Sequence, residues 1–299
     1  MERLGTVLVV DDSPVDRRLA GKLLEKHGFV ARYAVDGREA LDEIGRERPS
    51  IVVTDLHMPR MSGLELVEAI RRTYPALPVV LMTAHGSEEI SVMALRTGAA
   101  SFVPKRRLAA DLARTLEAII EISAGARGRT SSLDPLAVHE TRFELDNDIE
   151  RLPEVVGQLE ADLARVGICD ETEVIQVGVA LREAIVNAIV HGNLEVSSAL
   201  LDDGGTAFAD LARARRGQPP YAERRVEVVA HYARGEVTYT VSDQGPGFDP
   251  GSLPDPTEIA NLEQLHGRGL MLMRTFMDEV THGPRGNVVT MRKRKATRD

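Results

Sequence analysis

Polar side chains follow successive apolar runs in the first part of the chain, at the point where each run ends. They are Asp11 and Asp12 after TVLVV, Asp55 after IVVT, Thr83 after PVVLM and Lys105 after ASFVP. The β-branched runs predict buried strands whose carboxyl ends meet at one edge of a sheet. Clustered carboxylates repel one another unless a cation shares them, and hard oxygens suit Mg²⁺. A carboxylate here could attack a phosphoryl group, whose oxygens a hydroxyl and an ammonium would neutralise.

A second row of polar side chains lies within the stretch EAIVNAIVHGN. Glu183, Asn187 and His191 are spaced i, i+4, i+8, and the residues between them are small or apolar, which predicts a buried helix with one polar face. The amide oxygen of Asn187 can ligate phosphate-bound Mg²⁺, and Glu183 can take a proton from a hydroxyl that attacks a γ-phosphate. The end of the helix before Gly192 explains why a histidine stands at position 191 at least as well as a functional role does.

Two glycine-containing loops follow later in the chain. In DQGPGFD, Asp243 could accept a hydrogen bond from an exocyclic amine while Gly245 and Gly247 keep the backbone close to a planar ligand. HGRGL opens a helix whose free N–H groups can meet a phosphate. Each loop alone is a weak signal, but in this order with EAIVNAIVHGN they indicate a nucleotide site.

The elements that must position the first site alternate between strand and helix over residues 1–122. The alternation predicts an α/β domain with a doubly wound, five-stranded parallel sheet. The expected strands are residues 6–10, 30–34, 51–54, 78–82 and 100–103.

Residues 123–138 are small, polar and without periodicity, so we interpret them as a linker. Residues 139–299 begin with one strand and two long helical patterns and end in hairpin strands, which predicts an α+β domain. Within it we interpret Ser197–Ala222 as a long loop, with a partner contact as the alternative. Its arginines, Arg213, Arg215 and Arg216, could meet an acidic surface.

The composition limits the class of protein. A net charge of -9 and a pI of about 5.5 argue against nucleic acid as a partner. Cys169 is the only cysteine, which excludes an internal disulfide and fits a reducing compartment. The N-terminus lacks a signal pattern, and no apolar run approaches membrane-spanning length. We therefore expect a cytoplasmic protein that binds neither DNA nor a membrane.

The motifs VLVVDD, DLHMPRMSG, TAHG and SFVPK resemble those of the response-regulator receiver domain, over the whole of the first domain. The resemblance implies a flavodoxin-like fold in which Asp55 is the phosphoacceptor. An upstream histidine kinase or phosphotransfer protein would supply the phosphoryl group. The implied Mg²⁺ ligands are Asp11, Asp12, Asp55 and the backbone carbonyl of His57.

The same resemblance assigns roles around the phosphoacceptor. Lys105 would contact the phosphoryl group, and Thr83 and Phe102 would be the switch pair that rearranges on phosphorylation. One departure from the family lies beside Lys105: the family usually has proline after this lysine, whereas here Arg106 follows it and Pro104 precedes it.

EAIVNAIVHGN, DQGPGFD and HGRGL look like the N, G1 and G2 boxes of the gyrase and histidine-kinase (GHKL) ATPases. The most similar branch is the anti-sigma-factor serine kinases of bacteria, across about Phe143–Lys293. The resemblance implies a GHKL α+β sandwich that binds ATP and Mg²⁺, with Glu183 as base and Asn187 as metal ligand. The implied nucleotide-binding residues are Asn187, Asp243, Gly245, Gly247, Gly267, Arg268, Gly269 and Leu270.

Together the resemblances imply a two-component response regulator in which phosphorylation of Asp55 controls a serine/threonine protein kinase domain. Its partner would be a STAS-domain anti-anti-sigma protein, a sigma factor or both, and a homodimer is compatible with the family. The alternative is a switch that binds ATP and its partner without transferring phosphate.

A hybrid histidine kinase is a further alternative, because His139-Glu140 followed by Thr-Arg resembles the phosphoacceptor box of those enzymes. That box requires a long helical hairpin. Here FELDND turns at once toward a helix start, and Pro153 interrupts the beginning of the helical pattern. We therefore interpret His139 as a linker or strand-edge residue.

Overall fold

The computed structural model describes residues 5–83, 88–126, 138–197, 206–233, 235–250 and 268–295. The chain divides into two compact units, one mainly N-terminal and one mainly C-terminal.

The first unit contains a five-stranded parallel sheet in the order β2-β1-β3-β4-β5. Its strands are β1 (Thr6–Val10), β2 (Val30–Ala34), β3 (Ile51–Asp55), β4 (Val79–Thr83) and β5 (Ser101–Pro104). The predicted strands are confirmed, each within one residue. The order reverses between β1 and β3, and the candidate site residues lie at the carboxyl ends of the strands beside this point.

Helices connect the strands of the first sheet. They are α1 (Pro14–Lys26), α2 (Gly37–Arg46), α3 (Gly63–Thr73), α4 (Glu88–Thr97) and α5 (Leu108–Ala126). Local signals explain two of the starts: Ser13 caps α1 just before Pro14, and Ser62 with Glu65 forms a capping box on α3. Helix α5 extends beyond residue 122, the predicted end of the first domain.

The second unit contains an antiparallel sheet in the order β6-β7-β8-β10-β9. Its strands are β6 (Val138–Leu145), β7 (Val226–Ala233), β8 (Glu236–Ser242), β9 (Glu279–His282) and β10 (Val288–Arg294). Its helices are α6 (Leu152–Val166), α7 (Glu171–Asn187, except residues 171–175, which group with the first unit), α8 (Thr206–Arg216) and α9 (Arg268–Phe276). The predicted α+β architecture is confirmed, and His139 lies within strand β6 as the sequence indicated.

The core of the second unit lies between one face of the sheet and the helices. Burial alternates along β7 and β8, so that Tyr232 and Tyr239 are fully buried while their neighbours are more exposed. The row of small and apolar residues in α7 is buried as predicted, including Ala184 and Ile185.

The prediction of a long loop over Ser197–Ala222 is wrong for its second half. Residues 206–216 form helix α8, and Tyr221–Glu223 form a turn of 3-10 helix. Residues 198–205 lie outside the described ranges. The signal was weak because alternating arginine and small residues, RARR, give no apolar stripe of the usual width.

The sequence predicts no apolar run of membrane-spanning length, whereas one helix, Glu171–Asn193, is long and apolar enough by length and composition. Of its most apolar window, 72% is buried inside the protein. The core helix of a soluble domain satisfies the same criteria when most of it is buried, as it is here.

A buried acid lies on helix α6. Glu160 is fully buried, and neither of its carboxylate oxygens has a hydrogen-bond partner within the described part of the chain. Burial raises the pKa of Glu160 to about 9. The side chain is therefore protonated at neutral pH in the folded protein and ionised in the unfolded one.

We expect Glu160 to make the stability of the second unit depend on pH. Because its pKa rises on folding from 4.5 to about 9, the unfolding free energy falls as the pH increases through this range. The loss at pH 7 is about 3 kcal/mol, and Glu160→Gln should remove it. Urea unfolding at about pH 5 and pH 8 would measure the effect. The exposed Glu154→Gln on the same helix is the control, and equal pH dependence in all three proteins would contradict the expectation.

Candidate functional sites

The first candidate site is centred on the ammonium of Lys105. Its Nζ lies 2.8 Å from Asp11 Oδ2, 2.9 Å from Asp16 Oδ2 and 2.9 Å from Asp55 Oδ1. Strands β1, β3 and β5 therefore bring together side chains that are separated by up to 94 positions in sequence. Asp11 and Asp55 are almost fully buried, so both carboxylates depend on the shared cation for compensation.

The electrostatics of this cluster are strongly coupled. Burial raises the pKa of Asp11, and the hydrogen bond from Lys105 opposes that increase. Burial acts to lower the pKa of Lys105, but hydrogen bonds to Asp11, Asp16 and Asp55 outweigh it and raise the pKa. The lysine is therefore a fixed positive charge at the carboxylates.

Backbone groups orient the two buried carboxylates. The N–H of His57 donates to Asp55 Oδ2 (3.0 Å), and the N–H of Ser13 donates to Asp11 Oδ1 (2.8 Å). Gly63 packs against the carbonyl of Asp55 so closely that a Cβ could not fit. The glycine of DLHMPRMSG thus allows helix α3 to begin directly beside the candidate phosphoacceptor.

The second candidate site lies where helix α9 meets helix α7. A Cβ on Gly269 would lie 2.8 Å from Glu183 Oε2 and 3.6 Å from Asn187 Nδ2. The glycine therefore brings the start of α9 into contact with the two polar side chains of α7. Glu183 and Asn187 are both partly exposed, as a reactive group requires, although Ala184 and Ile185 between them are buried.

The loop after strand β8 holds Asp243 in a fixed orientation. Its N–H donates to the carbonyl of Asn287 (3.0 Å), and Asn287 Nδ2 donates to the Asp243 carbonyl (3.1 Å). Asp243 Oδ1 accepts from the N–H of Gly245 (2.9 Å). Burial raises the pKa of Asp243, while the hydrogen bond from Gly245 and the charge of Arg224 oppose the increase. Oδ2 is then the oxygen that would accept from an amine of a ligand.

Two family models match the chain. The response regulator receiver domain matches residues 7–117, and the histidine kinase-like ATPase domain matches residues 145–293. TcrX, a probable transcriptional regulatory protein of Mycobacterium tuberculosis, is 33% identical over 161 residues, which cover 47% of this chain and 68% of that protein. The chain belongs to the response regulators. Its receiver domain is the first unit, and a histidine kinase-like ATPase domain is the second, as the sequence indicated.

Other relatives of this response regulator match over only part of their own length. NtrX of Azorhizobium caulinodans, a nitrogen assimilation regulatory protein, is 40% identical over 33% of this chain and 22% of that protein. The response regulator MprA of Mycolicibacterium vanbaalenii is 35% identical over 46% of this chain and 63% of that protein. The chain thus spans less than two thirds of either relative. A solved structure, the receiver domain of NtrX from Brucella abortus, is 36% identical, covers 37% of this chain and 98% of that chain, and has a TM-score of 0.35.

The receiver domain does not bring all of its predicted residues together. Thr83 is buried, and its hydroxyl has no hydrogen-bond partner among the described residues. Phe102 is also buried, on the neighbouring strand, where it pairs with Leu81 rather than with Thr83. The side chain of Asp12 is exposed. The switch pair therefore stays a prediction, although a buried and unpartnered hydroxyl is suited to receive a phosphoryl oxygen.

The carboxylates of the receiver domain bear on the predicted Mg²⁺ site. Within the described ranges, no three His, Cys, Asp or Glu side chains are grouped to hold a metal ion. Asp11 and Asp55 nevertheless reach the same cation, Lys105 Nζ, and supply the hard oxygens that Mg²⁺ prefers. The two carboxylates fit the ion, and the further contributions of Asp12 and the His57 carbonyl stay predictions.

Asp16 belongs to the receiver site but was not predicted from the sequence. Its contact with Lys105 is as short as that of Asp55. It lies in the first turn of α1, where an acidic residue is common because it complements the helix dipole. Its position five residues after Asp11 is the one signal that could have indicated the site.

Helix α7 of the ATPase domain ends in a wider turn that the sequence did not indicate. Ala188–Asn193 form a π-helix, with the N–H of Leu194 bonded to the carbonyl of Ile189 (2.8 Å). The Nδ1 atom of His191 lies 2.7 Å from the carbonyl oxygen of Val196, and the centre of its ring lies 6.2 Å from that of Phe208. These contacts agree with the interpretation of His191 as a residue at the end of the helix, before Gly192.

The remaining nucleotide-binding predictions lie at the start of helix α9. Gly267 lies outside the described residues, as does the segment 251–266 that precedes it. Gly269 and Leu270 are in the first turn of the helix, and Arg268 is its first residue. Only Gly269 has a described contact with the other predicted residues of the site.

Two closely packed glycines of the ATPase domain, Gly192 and Gly245, form a cradle around Asp243 that leaves no room for further side chains. Gly192 packs against the carboxylate of Asp243, and Gly245 packs against the carbonyl of Gly192, in each case too closely for a Cβ. Glycine at both positions therefore lets the loop that carries Asp243 lie directly against the end of the π-helix, and this packing fixes the acid that a nucleotide base would meet.

We expect Gly245→Ala to weaken ATP binding about tenfold or more, because the new Cβ must displace the backbone of Gly192 and with it Asp243. Titration with a fluorescent ATP analogue would measure the change in Kd. Gly217→Ala in the same domain is the matched control, since a Cβ there meets no atom within 4 Å. Equal affinities of the two variants would contradict the role of the cradle.

Proposed function

We propose that this response regulator is a protein serine/threonine kinase of the anti-sigma-factor type, controlled by phosphorylation of Asp55. The ATPase domain would phosphorylate a STAS-domain antagonist and bind a sigma factor. The observation that carries the proposal is the contact of Gly269 with Glu183 and Asn187, which puts a candidate base and a candidate metal ligand at the start of the same helix.

The chemistry follows from the positions of these residues. Glu183 would take the proton of a partner hydroxyl as that oxygen bonds to the γ-phosphorus of ATP, and ADP would leave with the electrons of the broken bond. Asn187 would hold Mg²⁺, which would supply neutralisation of the phosphate charges. Asp243 would accept a hydrogen bond from the adenine amine, and the first N–H groups of α9 would meet the phosphates.

The receiver domain would supply the control. Asp55 would accept a phosphoryl group from an upstream histidine kinase or phosphotransfer protein, and Lys105 would pair with the added oxygens. A modification shifts the equilibrium between two conformations only by the difference between its interaction free energies in them. The added charge on Asp55 must therefore interact more favourably with the rest of the protein in one conformation than in the other. The kinase activity or partner affinity of the ATPase domain would differ between those states.

The proposal is tested with γ-labelled ATP, Mg²⁺ and STAS-domain proteins from the same genome. Acid-stable label on a partner serine or threonine is the expected result. ATP binding without transfer to any of them would instead support the non-catalytic switch, and acid-labile label on His139 would support a histidine kinase. Either of these outcomes would overturn the proposal.

A further inference from the structure

Asn193 is the last residue of the π-helix and is completely buried. Both ends of its amide are used within the ATPase domain. Its Oδ1 accepts from the N–H of Gln244 (2.8 Å), and its Nδ2 donates to Asn147 Oδ1 (2.9 Å). Gln244 directly follows Asp243, so this buried amide holds the backbone of the candidate adenine-binding loop.

A second contact fixes the same loop. Gln244 Oε1 accepts from the N–H of Arg225 (2.9 Å), at the residue before strand β7. Asn147 in turn donates to the carbonyls of Tyr221 (2.8 Å) and Arg224 (3.4 Å). The chain segment 221–225 is therefore tied to the loop both directly and through the buried pair of amides.

The inserted helix α8 closes this network from the other side. Arg215 donates to the carbonyls of Leu194 (2.8 Å) and Glu195 (2.7 Å), directly after Asn193, and its guanidinium lies 4.9 Å from the centre of the Tyr221 ring. Arg224 donates to the Asn193 carbonyl (2.7 Å) and lies over the same ring, at 5.2 Å. The two arginines thus share one aromatic ring, and both bond to the turn after the π-helix.

The backbone of that turn is in an unfavourable conformation. Glu195 has a φ of 53°, in the left-handed region that residues with a side chain seldom adopt. Its carbonyl accepts from Arg215, and its side chain pairs with Arg224 (2.7 Å). Such a conformation persists only where the surroundings hold it, and here both arginines do so.

We propose that residues 206–224 form a positioning element for the nucleotide site, acting through Asn193 on Gln244 and thereby on Asp243. Arg215 and Arg224 hold the turn, the turn holds the Asn193 amide, and the amide fixes the loop that carries the base-reading acid. The element therefore determines how strongly the site prefers adenine over guanine. This inference rests on the proposed role of Asp243 in ATP binding.

The helix itself supplies a matched pair of variants. Arg213→Ala and Arg215→Ala remove the same charge from α8, but the Arg213 side chain is 79% exposed and contacts Asp210 on its own helix. Of these two arginines, only Arg215 has a described contact with the turn, at the carbonyls of Leu194 and Glu195. Asn193→Ala removes the buried amide through which the turn acts on Gln244. If this substitution prevents folding, Arg215→Ala still tests the proposal.

Hydrogen exchange of the full-length, nucleotide-free protein tests the positioning directly. We expect the amide of Gln244 to exchange about tenfold faster in Asn193→Ala and measurably faster in Arg215→Ala, with Arg213→Ala unchanged. Exchange at Gln244 that is the same in all four proteins would overturn the proposal. The exchange experiment tests the positioning role even if the wild-type protein binds no ATP. Absence of ATP binding would refute the proposed function but not the positioning role.

Competition between ATP and GTP for a fluorescent nucleotide supplies the readout that a merely structural role would not change. In Arg215→Ala we expect ATP affinity to fall about fivefold while GTP affinity stays the same, which lowers the preference for adenine. An equal loss of affinity for both nucleotides would show general damage to the domain and would overturn the positioning role.

Discussion

Asp55→Asn is expected to abolish labelling of the protein by a small phosphodonor such as acetyl phosphate, by at least about 1,000-fold. The carboxylate oxygen is the nucleophile, and an amide of the same shape cannot replace it. The fold should persist, because Lys105 keeps its ion pairs with Asp11 and Asp16. Intact-protein mass spectrometry would measure the mass of one added phosphoryl group.

The exposed Asp42→Asn in the receiver domain is the control for this change. It removes the same charge from the same domain at a distance from the sheet edge, so its labelling should match that of the wild type. Undiminished labelling of Asp55→Asn would show that another residue is the phosphoacceptor.

Glu183→Gln is expected to reduce phosphate transfer to the partner about 100-fold to 10,000-fold, the range for loss of a general base. ATP affinity should change little, since the amide keeps the size of the side chain that packs beside Gly269. Initial rates with saturating γ-labelled ATP, alongside a Kd from titration, would separate the two effects.

Glu154→Gln, an exposed change on helix α6, should keep the wild-type rate. A Glu183→Gln protein that transfers phosphate at the wild-type rate would exclude this residue as the base. A protein that loses ATP binding together with transfer would instead assign Glu183 to the nucleotide cradle.

The strands of the receiver domain and the meeting of Lys105 with Asp11 and Asp55 could be predicted because their signals are local. Strands buried on both faces leave short continuous apolar runs, and β1, β3 and β4 are indeed fully or almost fully buried along their lengths. The order of strands then follows from right-handed crossovers, and the polar residues at the ends of the strands must converge. Lys105 meets Asp11 and Asp55 for this reason.

The ATPase domain was predicted less completely because its site depends on contacts across the fold. Asn193 and Gln244 are 51 positions apart, and neither residue type nor spacing indicates that they meet. The π-helix Ala188–Asn193 departs from the ideal helical spacing on which the prediction of one shared face for Glu183, Asn187 and His191 was based. Helix α8 has only a short apolar stripe, of Phe208, Leu211 and Ala212, and is held by Arg215 at the carbonyl of Leu194 as well.

The central claim is that the state of Asp55 controls the chemistry at Glu183. The most direct test is the rate of label transfer from ATP to a STAS-domain partner with and without beryllium fluoride as a phosphoryl mimic on Asp55. The rate should change with the mimic in the wild-type protein and stay constant in Asp55→Asn. Equal rates in the wild-type protein, with the mimic bound, would contradict the account.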